Sequence, residues 1–384
     1  MSAAPQPPPR THGLSTSLIR SFAAAAPDGN ISLALGEPGW SLPHNAREAL
    51  ARWAGEVGRC AYGPNQGMPE LRAVLRARLE VSDEHLMITA GSQAALFAVI
   101  TAHVRAGDQV WVPNPGFPAY RTLVHLAGGI TCEYPLAADG SLDASALIDA
   151  LENRLRQTGQ HPAMLVLNHP SNPTGGGASV TELSRVVEMC EQRDIIVLSD
   201  EVYRELPTQD IQPSVRSVSE RPIVTESVSK AWAAPGLRVG WASGPPELLA
   251  PATLVHNAMN TAPAMPSQVA ATALLADSDQ VLKHSGEELR ARWDLFEQHA
   301  PAGLTDVRPA GGFYSWVPVP LLSQRCDGWA IGLRDHGGVS VVPGSAFGSA
   351  GAGRVRISVG GPRDELVEGL ARIATFNEGH RSDE

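Results

Sequence analysis

The stretch Ser227-Val228-Ser229-Lys230, followed by Pro235-Gly236-Leu237-Arg238, puts a primary amine, two hydroxyls and a guanidinium within twelve residues. Hydroxyls and guanidinium groups bind phosphate-like anions through hydrogen bonds, strongest where one partner is charged. An amine beside such a set is what a cofactor held as a Schiff base requires. The choice of amine is narrow, since Lys230 and Lys283 are the only lysines among 30 basic side chains. An exposed loop lysine is the ordinary alternative, and this stretch alone does not decide between the two.

Two other stretches carry groups of complementary chemistry. In Asn168-His169-Pro170-Ser171-Asn172-Pro173-Thr174-Gly175, the composition is that of a strand-to-helix turn. It would also let the Asn172 amide point into a crevice at the carboxyl ends of parallel strands. In Ser199-Asp200-Glu201-Val202-Tyr203, Asp200 could cap a helix. It could equally be the anion that holds the proton of a pyridinium nitrogen, with Tyr203 donating to the phenolic oxygen of the same ring.

The elements that must position these groups are legible as short apolar runs. Strands are predicted at Leu86–Thr89, Gln109–Val112, Met164–Leu167, Ile195–Ser199, Ile223–Glu226 and Arg238–Ala242. Helix-length segments separate most of them, one of which is amphipathic from Val180 to Gln192. That alternation predicts an α/β fold, a mostly parallel sheet with helices on both faces. Two helical patterns, Asn45–Val57 and Pro69–Leu79, precede it, and one long helical region, Pro266–Gln298, follows. The last third mixes strands at Gly312–Val317, Val339–Val342 and Arg354–Val359 with helices near Trp329–Asp335 and Asp364–Phe376, a smaller α+β domain. The division expected is a flexible arm over 1–13, a segment 14–45 joining the small domain, a large domain over 46–280 and the small domain over 281–384. A frayed tail is expected from Glu378.

Together the three stretches resemble the fold-type I enzymes that use pyridoxal 5'-phosphate (PLP), and within them the class I/II aminotransferases. The resemblance spans nearly the whole chain: Asn172-Pro173-Thr174-Gly175 matches the family's Asn-Pro-x-Gly turn, Asp200 and Tyr203 its Asp-x-x-Tyr, and Ser227 to Arg238 its Ser-x-Ser-Lys followed by Arg. It implies that Lys230 holds PLP as a Schiff base and shuttles the proton. It implies further that Asn172, Asp200, Tyr203, Ser227, Ser229 and Arg238 bind the cofactor. Ser92 and Gln93 match the helix start that cradles its phosphate, and Phe117 the aromatic that stacks on its ring. Tyr62 matches the tyrosine reaching the phosphate across a homodimer interface. Gly36 and Arg356, with Asn172, match the groups that grip the substrate carboxylate. Arg354 shares a strand face with Arg356. Glu37 and Trp40 are expected near the substrate mouth, and His169 behind the site.

The activity so implied is a ping-pong transfer of an amino group between an amino acid and a 2-oxo acid. A PLP-dependent lyase or cyclising synthase would use the same residues and stays open. A transcription regulator with an aminotransferase-like domain is disfavoured, because only about thirty residues precede Leu35-Gly36 and such a protein needs a basic DNA-binding module there. The net charge of −10 over 384 residues likewise argues against nucleic acid or anionic membrane as partner. No run approaches the roughly 20 apolar residues that span a bilayer. Cys60, Cys132, Cys190 and Cys326 are far apart and without a C-x-x-C pair. They read as buried free thiols in a reducing, cytoplasmic setting, with no metal site.

Overall fold

Strands buried along most of their length alternate with helices through the middle of the chain, and this alternation builds the sheet on which the candidate residues sit. The computed structural model describes residues 10–14, 18–24, 26–304, 308–319 and 326–381. Most of the arm expected over 1–13 lies outside them. Helix α1 (Leu18–Ala24) and strand β1 (Ile31–Ser32) lead to α2 (His44–Glu56) and α3 (Pro69–Leu79). Next come β2 (Leu86–Thr89), α4 (Ser92–His103), β3 (Gln109–Asn114), α5 (Ala119–Ala127), β4 (Ile130–Pro135) and α6 (Ala144–Thr158). They are followed by β5 (Met164–Asn168), α7 (Val180–Glu191), β6 (Ile196–Asp200), β7 (Ile223–Ser227) and β8 (Gly240–Ser243).

These strands form one sheet of seven in the order β2-β8-β7-β6-β5-β3-β4. All pairings are parallel except the two made by β8. Alternate residues of each strand face opposite sides. Val110, Val112, Met164, Val166, Leu198 and Ile223 pack under α4, α5 and the helix α8 (Pro246–Asn260). Trp111, Leu165, Leu167, Val197 and Val224 pack under α6 and α7 on the other side. Apolar residues are therefore needed on both faces, which is why β5 reads as an apolar run up to its last residue, Asn168. The register sets Asn168 beside Asp200, and Asp200 beside Thr225, so three strands present their carboxyl ends together.

Beyond the sheet lie α9 (Met265–Ala276), α10 (Ser278–His299), β9 (Tyr314–Pro318) and α11 (Cys326–His336). The chain closes with β10 (Val339–Ser340), β11 (Val342–Pro343), β12 (Arg354–Ser358) and α12 (Arg363–Arg381). Strands β11, β12 and β9 make an antiparallel sheet in that order. Strand β1 pairs in parallel with β10, Ile31 opposite Val339, so the segment before the large sheet is tied to the last part of the chain.

Several local expectations are corrected. The single helix expected over Pro266–Gln298 is two, broken at Asp277 where φ −111° and ψ 33° leave the helical region. The strand expected over Val339–Val342 is split, because β10 pairs with β1 while β11 pairs with β12. Strand β3 runs through Pro113 to Asn114; its ladder to β5 ends at Trp111, so the missing N–H breaks no rung there. Strand β4 is an additional edge strand whose exposed Ile130, Glu133 and Pro135 interrupt the apolar pattern. Helix α12 continues past Glu378 to Arg381, and Cys60 is exposed rather than buried.

Candidate active site

The loop from β2 into α4 turns at Gly91, whose φ of +85° is a conformation that side chains rarely adopt. A Cβ there would lie 2.5 Å from Nη2 of Arg238, and one at Gly240 would lie 2.5 Å from the backbone nitrogen of Ser92. Absent side chains thus let the turn, β8 and the guanidinium close on one another. Arg238 was expected to open a strand. It instead follows a short 3-10 turn in the left-handed conformation, φ +54°, and β8 starts at Gly240. This conformation goes with a guanidinium turned back, Nη1 donating to Oγ of Ser229 at 3.4 Å and to the Pro235 carbonyl at 2.9 Å. The N–H of Ser229 in turn donates to Oγ of Ser227 at 3.3 Å. Ser92 and Gln93 lie in the first turn of α4, where backbone N–H groups have no intrahelical acceptor. The result is a cup of donors with one fixed positive charge, suited to an anion.

Lys230 follows β7 directly. Its Nζ donates to the Gly36 carbonyl at 2.6 Å and lies 5.6 Å from the ring centroids of both Tyr203 and Phe313. At the end of β6, Asp200 is 4% exposed. Its Oδ2 accepts from Oη of Tyr120 at 2.8 Å, while Oδ1 has no partner among the described residues. Burial raises the carboxyl from its ordinary 3.8 to about 6, against the Tyr120 hydrogen bond, the Val202 N–H and the charge of Lys230. Asn168 ties the neighbouring strand ends together: its Nδ2 donates to the Asp200 carbonyl at 2.9 Å and its Oδ1 accepts the Asn172 N–H at 2.8 Å.

Asn172 is thereby held with its own Oδ1 accepting from Nη1 of Arg356 at 2.8 Å. Arg356, on β12, is 1% exposed. Its Nη2 donates to the Ala34 carbonyl at 2.5 Å, and Nε has no partner among the described residues. The guanidinium carbon lies 4.1 Å from the ring centroid of Tyr314 and 4.9 Å from that of Phe347. A buried guanidinium with N–H groups to spare and, among the described residues, no carboxylate paired with it is prepared for an incoming one. Arg354 shares the strand face, but its Nη1 donates to the Trp316 carbonyl, 3.0 Å away.

The sequence profile of the family described as aminotransferase class I and II matches residues 29–373. The chain belongs to this aminotransferase family. Bacillus subtilis YugH is 35% identical over 93% of this chain and 95% of its own length. The aspartate/prephenate aminotransferase of Thermus thermophilus is 30% identical over 90% of each chain. Among solved structures, the aspartate aminotransferase of Thermus thermophilus with maleate superposes with a TM-score of 0.88 at 27% identity, covering 97% of this chain and 100% of that one. The chain is therefore a transaminase with the fold of the aspartate aminotransferases, and the expected mostly parallel sheet agrees with that fold.

In this aminotransferase the structure gathers Lys230, Asp200, Tyr203, Asn172, Gly36 and Arg356 at the carboxyl ends of the inner strands β5, β6 and β7, with Ser227, Ser229, Arg238, Ser92 and Gln93 around the cup. Phe117 stands edge-on to Tyr120, ring centroids 5.6 Å apart. Tyr62 is 91% exposed, outside the pocket that its own chain forms. His169 is buried with Nε2 3.6 Å from Oε1 of Glu201, and burial lowers it to about 4, so it is neutral near pH 7. Trp40 does not border the mouth: it is buried with its indole N–H on Oγ of Ser285, under Arg292. Two residues escaped the sequence reading. Tyr120 was available as the phenol three positions after Phe117, one helical turn away. Tyr314 was available as the aromatic two before Trp316, on a strand next to the one bearing Arg356.

Proposed function

We propose that this transaminase binds PLP in the cup and moves the amino group of a 2-amino acid to a 2-oxo acid, with Lys230 as its catalytic amine. The observation that carries the reading is the buried Asp200 carboxylate, with Oδ1 left unpartnered, in the same site as a lysine amine and a cup that any Cβ would fill. Both fit this cofactor: a phosphate suits the cup, and a pyridine nitrogen suits Oδ1.

Ser92, Gln93, Ser227, Ser229 and Arg238 would hold the phosphate, Lys230 the aldehyde carbon, and Asp200 the ring nitrogen. Phe117 would cover the ring, and Asn172 and Tyr203 would serve its phenolic oxygen. When bound, the cofactor supplies an electron-poor ring that accepts the electron pair left as the substrate Cα–H bond breaks. The protein's own groups do the rest. Arg356 would fix the α-carboxylate with two parallel N–H groups among those not given to Asn172 and Ala34, so the substrate enters in one orientation. The Lys230 amine would take the Cα proton on Nζ and carry it as general base and acid. Asp200 would keep its negative charge beside the ring nitrogen, and Tyr203 would donate its Oη–H to the phenolic oxygen. Gly36 offers a backbone acceptor that holds the lysine amine between steps.

The relatives named for aspartate, prephenate or aromatic substrates support a 2-amino acid as the substrate class. The exposure of Tyr62 supports a homodimer in which this side chain completes the partner's site. The pairing of β1 with β10 supports a small domain made of 14–45 and 281–384 against a large one of 46–280. The scattered thiols support a cytoplasmic setting; among the described residues no helix is long and apolar enough to cross a membrane.

Titration of the purified chain with PLP tests the reading. Visible absorbance should appear with wild type and vanish in Lys230→Ala, together with activity by a factor of about 10³ or more. An amino acid alone should convert the bound cofactor once, stoichiometrically. Continuous ammonia release without a 2-oxo acid acceptor would overturn transamination in favour of a lyase.

A further inference from the structure

Tyr314, at the start of β9, touches three groups that the reading above makes functional, and it has no assigned part. Its ring lies under the Arg356 guanidinium, 4.1 Å from centroid to Cζ. Its Oη is 2.8 Å from Oη of Tyr203, the two rings edge to face at 5.5 Å. Its hydroxyl also fills the space over Gly36, where a Cβ would come within 1.7 Å of Oη. Gly36 is the residue whose carbonyl holds Lys230. The ring is anchored on its other side by Phe313, edge to face at 5.0 Å, and the side chain is 2% exposed. Such a residue has one orientation available.

We propose that Tyr314 is a positioning residue that couples the carboxylate clamp to the Tyr203 phenol: its ring aligns Arg356, and its hydroxyl donates to Tyr203 so that Tyr203 donates onward to the cofactor. The proton count requires this direction. Each phenol has one hydrogen, so when Tyr203 gives its own to the ring oxygen, the Tyr203–Tyr314 bond persists only with Tyr314 as donor. A donor that itself accepts a hydrogen bond is polarised and donates more strongly. Burial and the adjacent phenol keep Tyr203 well above its ordinary pKa, so it stays a donor. The charged groups facing the pair are Arg356 on β12, Asp200 ending β6 and Lys230 after β7. The ring contact is the second half of the device. A guanidinium over a desolvated aromatic face is held in plane, which matters for a planar two-point grip on a carboxylate.

The inference rests on the PLP reading, and the experiment separates the two. If wild type gains no visible absorbance with PLP, that reading fails and the coupling falls with it. If wild type gains it, the absorbance of the bound cofactor is titrated against pH in wild type, Tyr314→Phe, Tyr203→Phe and the double variant. A donor to the ring oxygen stabilises the deprotonated chromophore, so weakening it raises the apparent pKa. Tyr203→Phe should raise it by about 0.5–1 unit, the typical net worth of one hydrogen bond, and Tyr314→Phe, which only weakens that bond, by a fraction of this, about 0.2–0.3 unit. Added to Tyr203→Phe, the same change should do nothing, because the relay is already cut. In parallel, the Kd of a carboxylate analogue without an amino group should stay within about twofold in Tyr314→Phe, which keeps the ring, and rise about fivefold or more in Tyr314→Leu, which loses it. A chromophore pKa in Tyr314→Phe equal to wild type, or an equal added shift in both backgrounds, overturns the relay. A Tyr314→Leu affinity equal to that of Tyr314→Phe overturns the alignment.

Discussion

Asp200 should make the protein without cofactor less stable than it could be, and the size of the effect follows from its burial. The carboxyl moves from 3.8 to about 6 on folding because it loses water, which the Tyr120 hydrogen bond, the Val202 N–H and the charge of Lys230 offset only in part. A raised acid binds its proton more tightly in the folded state, so its contribution is most favourable below 3.8 and is lost as pH rises through about 6. At 1.36 kcal/mol per pH unit, burial of the carboxyl costs about 3 kcal/mol at pH 8 and about half of that at pH 5. Asp200→Asn removes the charge while leaving a carbonyl to accept from Tyr120. We expect the cofactor-free variant to unfold at higher urea than wild type, by a margin that roughly doubles between pH 5 and pH 8, to about 3 kcal/mol. Protomer concentration must be equal, since assembly also contributes. With saturating PLP the order should reverse, because the variant lacks the anion for the ring nitrogen. A margin flat between pH 5 and pH 8, or a variant weaker than wild type at pH 8 without cofactor, would refute the argument that burial strains this carboxylate.

Two shorter predictions complete the set. Arg356→Lys keeps the charge but not the fork, so KM for amino acids should rise about 10- to 100-fold with a smaller change in kcat; steady-state kinetics giving a KM within about twofold of wild type would remove Arg356 from the carboxylate site. Tyr62→Phe should leave the protein dimeric by sedimentation yet weaken PLP binding about tenfold, the worth of one hydrogen bond to a charged group, and an unchanged Kd or a monomeric active wild type would contradict its role across the interface.

Much of this protein was legible in its sequence because the relevant signals are local. A strand buried on both faces reads as an apolar run, so the expected Met164–Leu167 falls within the observed Met164–Asn168, and the expected Ile223–Glu226 stops one residue short of Ser227. The groups at their carboxyl ends, Asn172, Asp200 and Lys230, come in short strings whose chemistry is visible in order. What the chain order could not reveal depends on which strands become neighbours. Tyr120 reaches Asp200 across 80 positions, and Tyr314 reaches Tyr203 across 111; no periodicity links such pairs. The left-handed turn at Arg238 was missed for a related reason: its neighbours read as a strand, and the turn accompanies a tertiary contact with Ser229. The raised carboxyl of Asp200 was likewise invisible, since desolvation is a property of everything packed around a residue. The sequence therefore determined which chemical groups the site could contain. The tertiary structure decided which of them meet, which lose water, and which phenol stands between the arginine and the lysine.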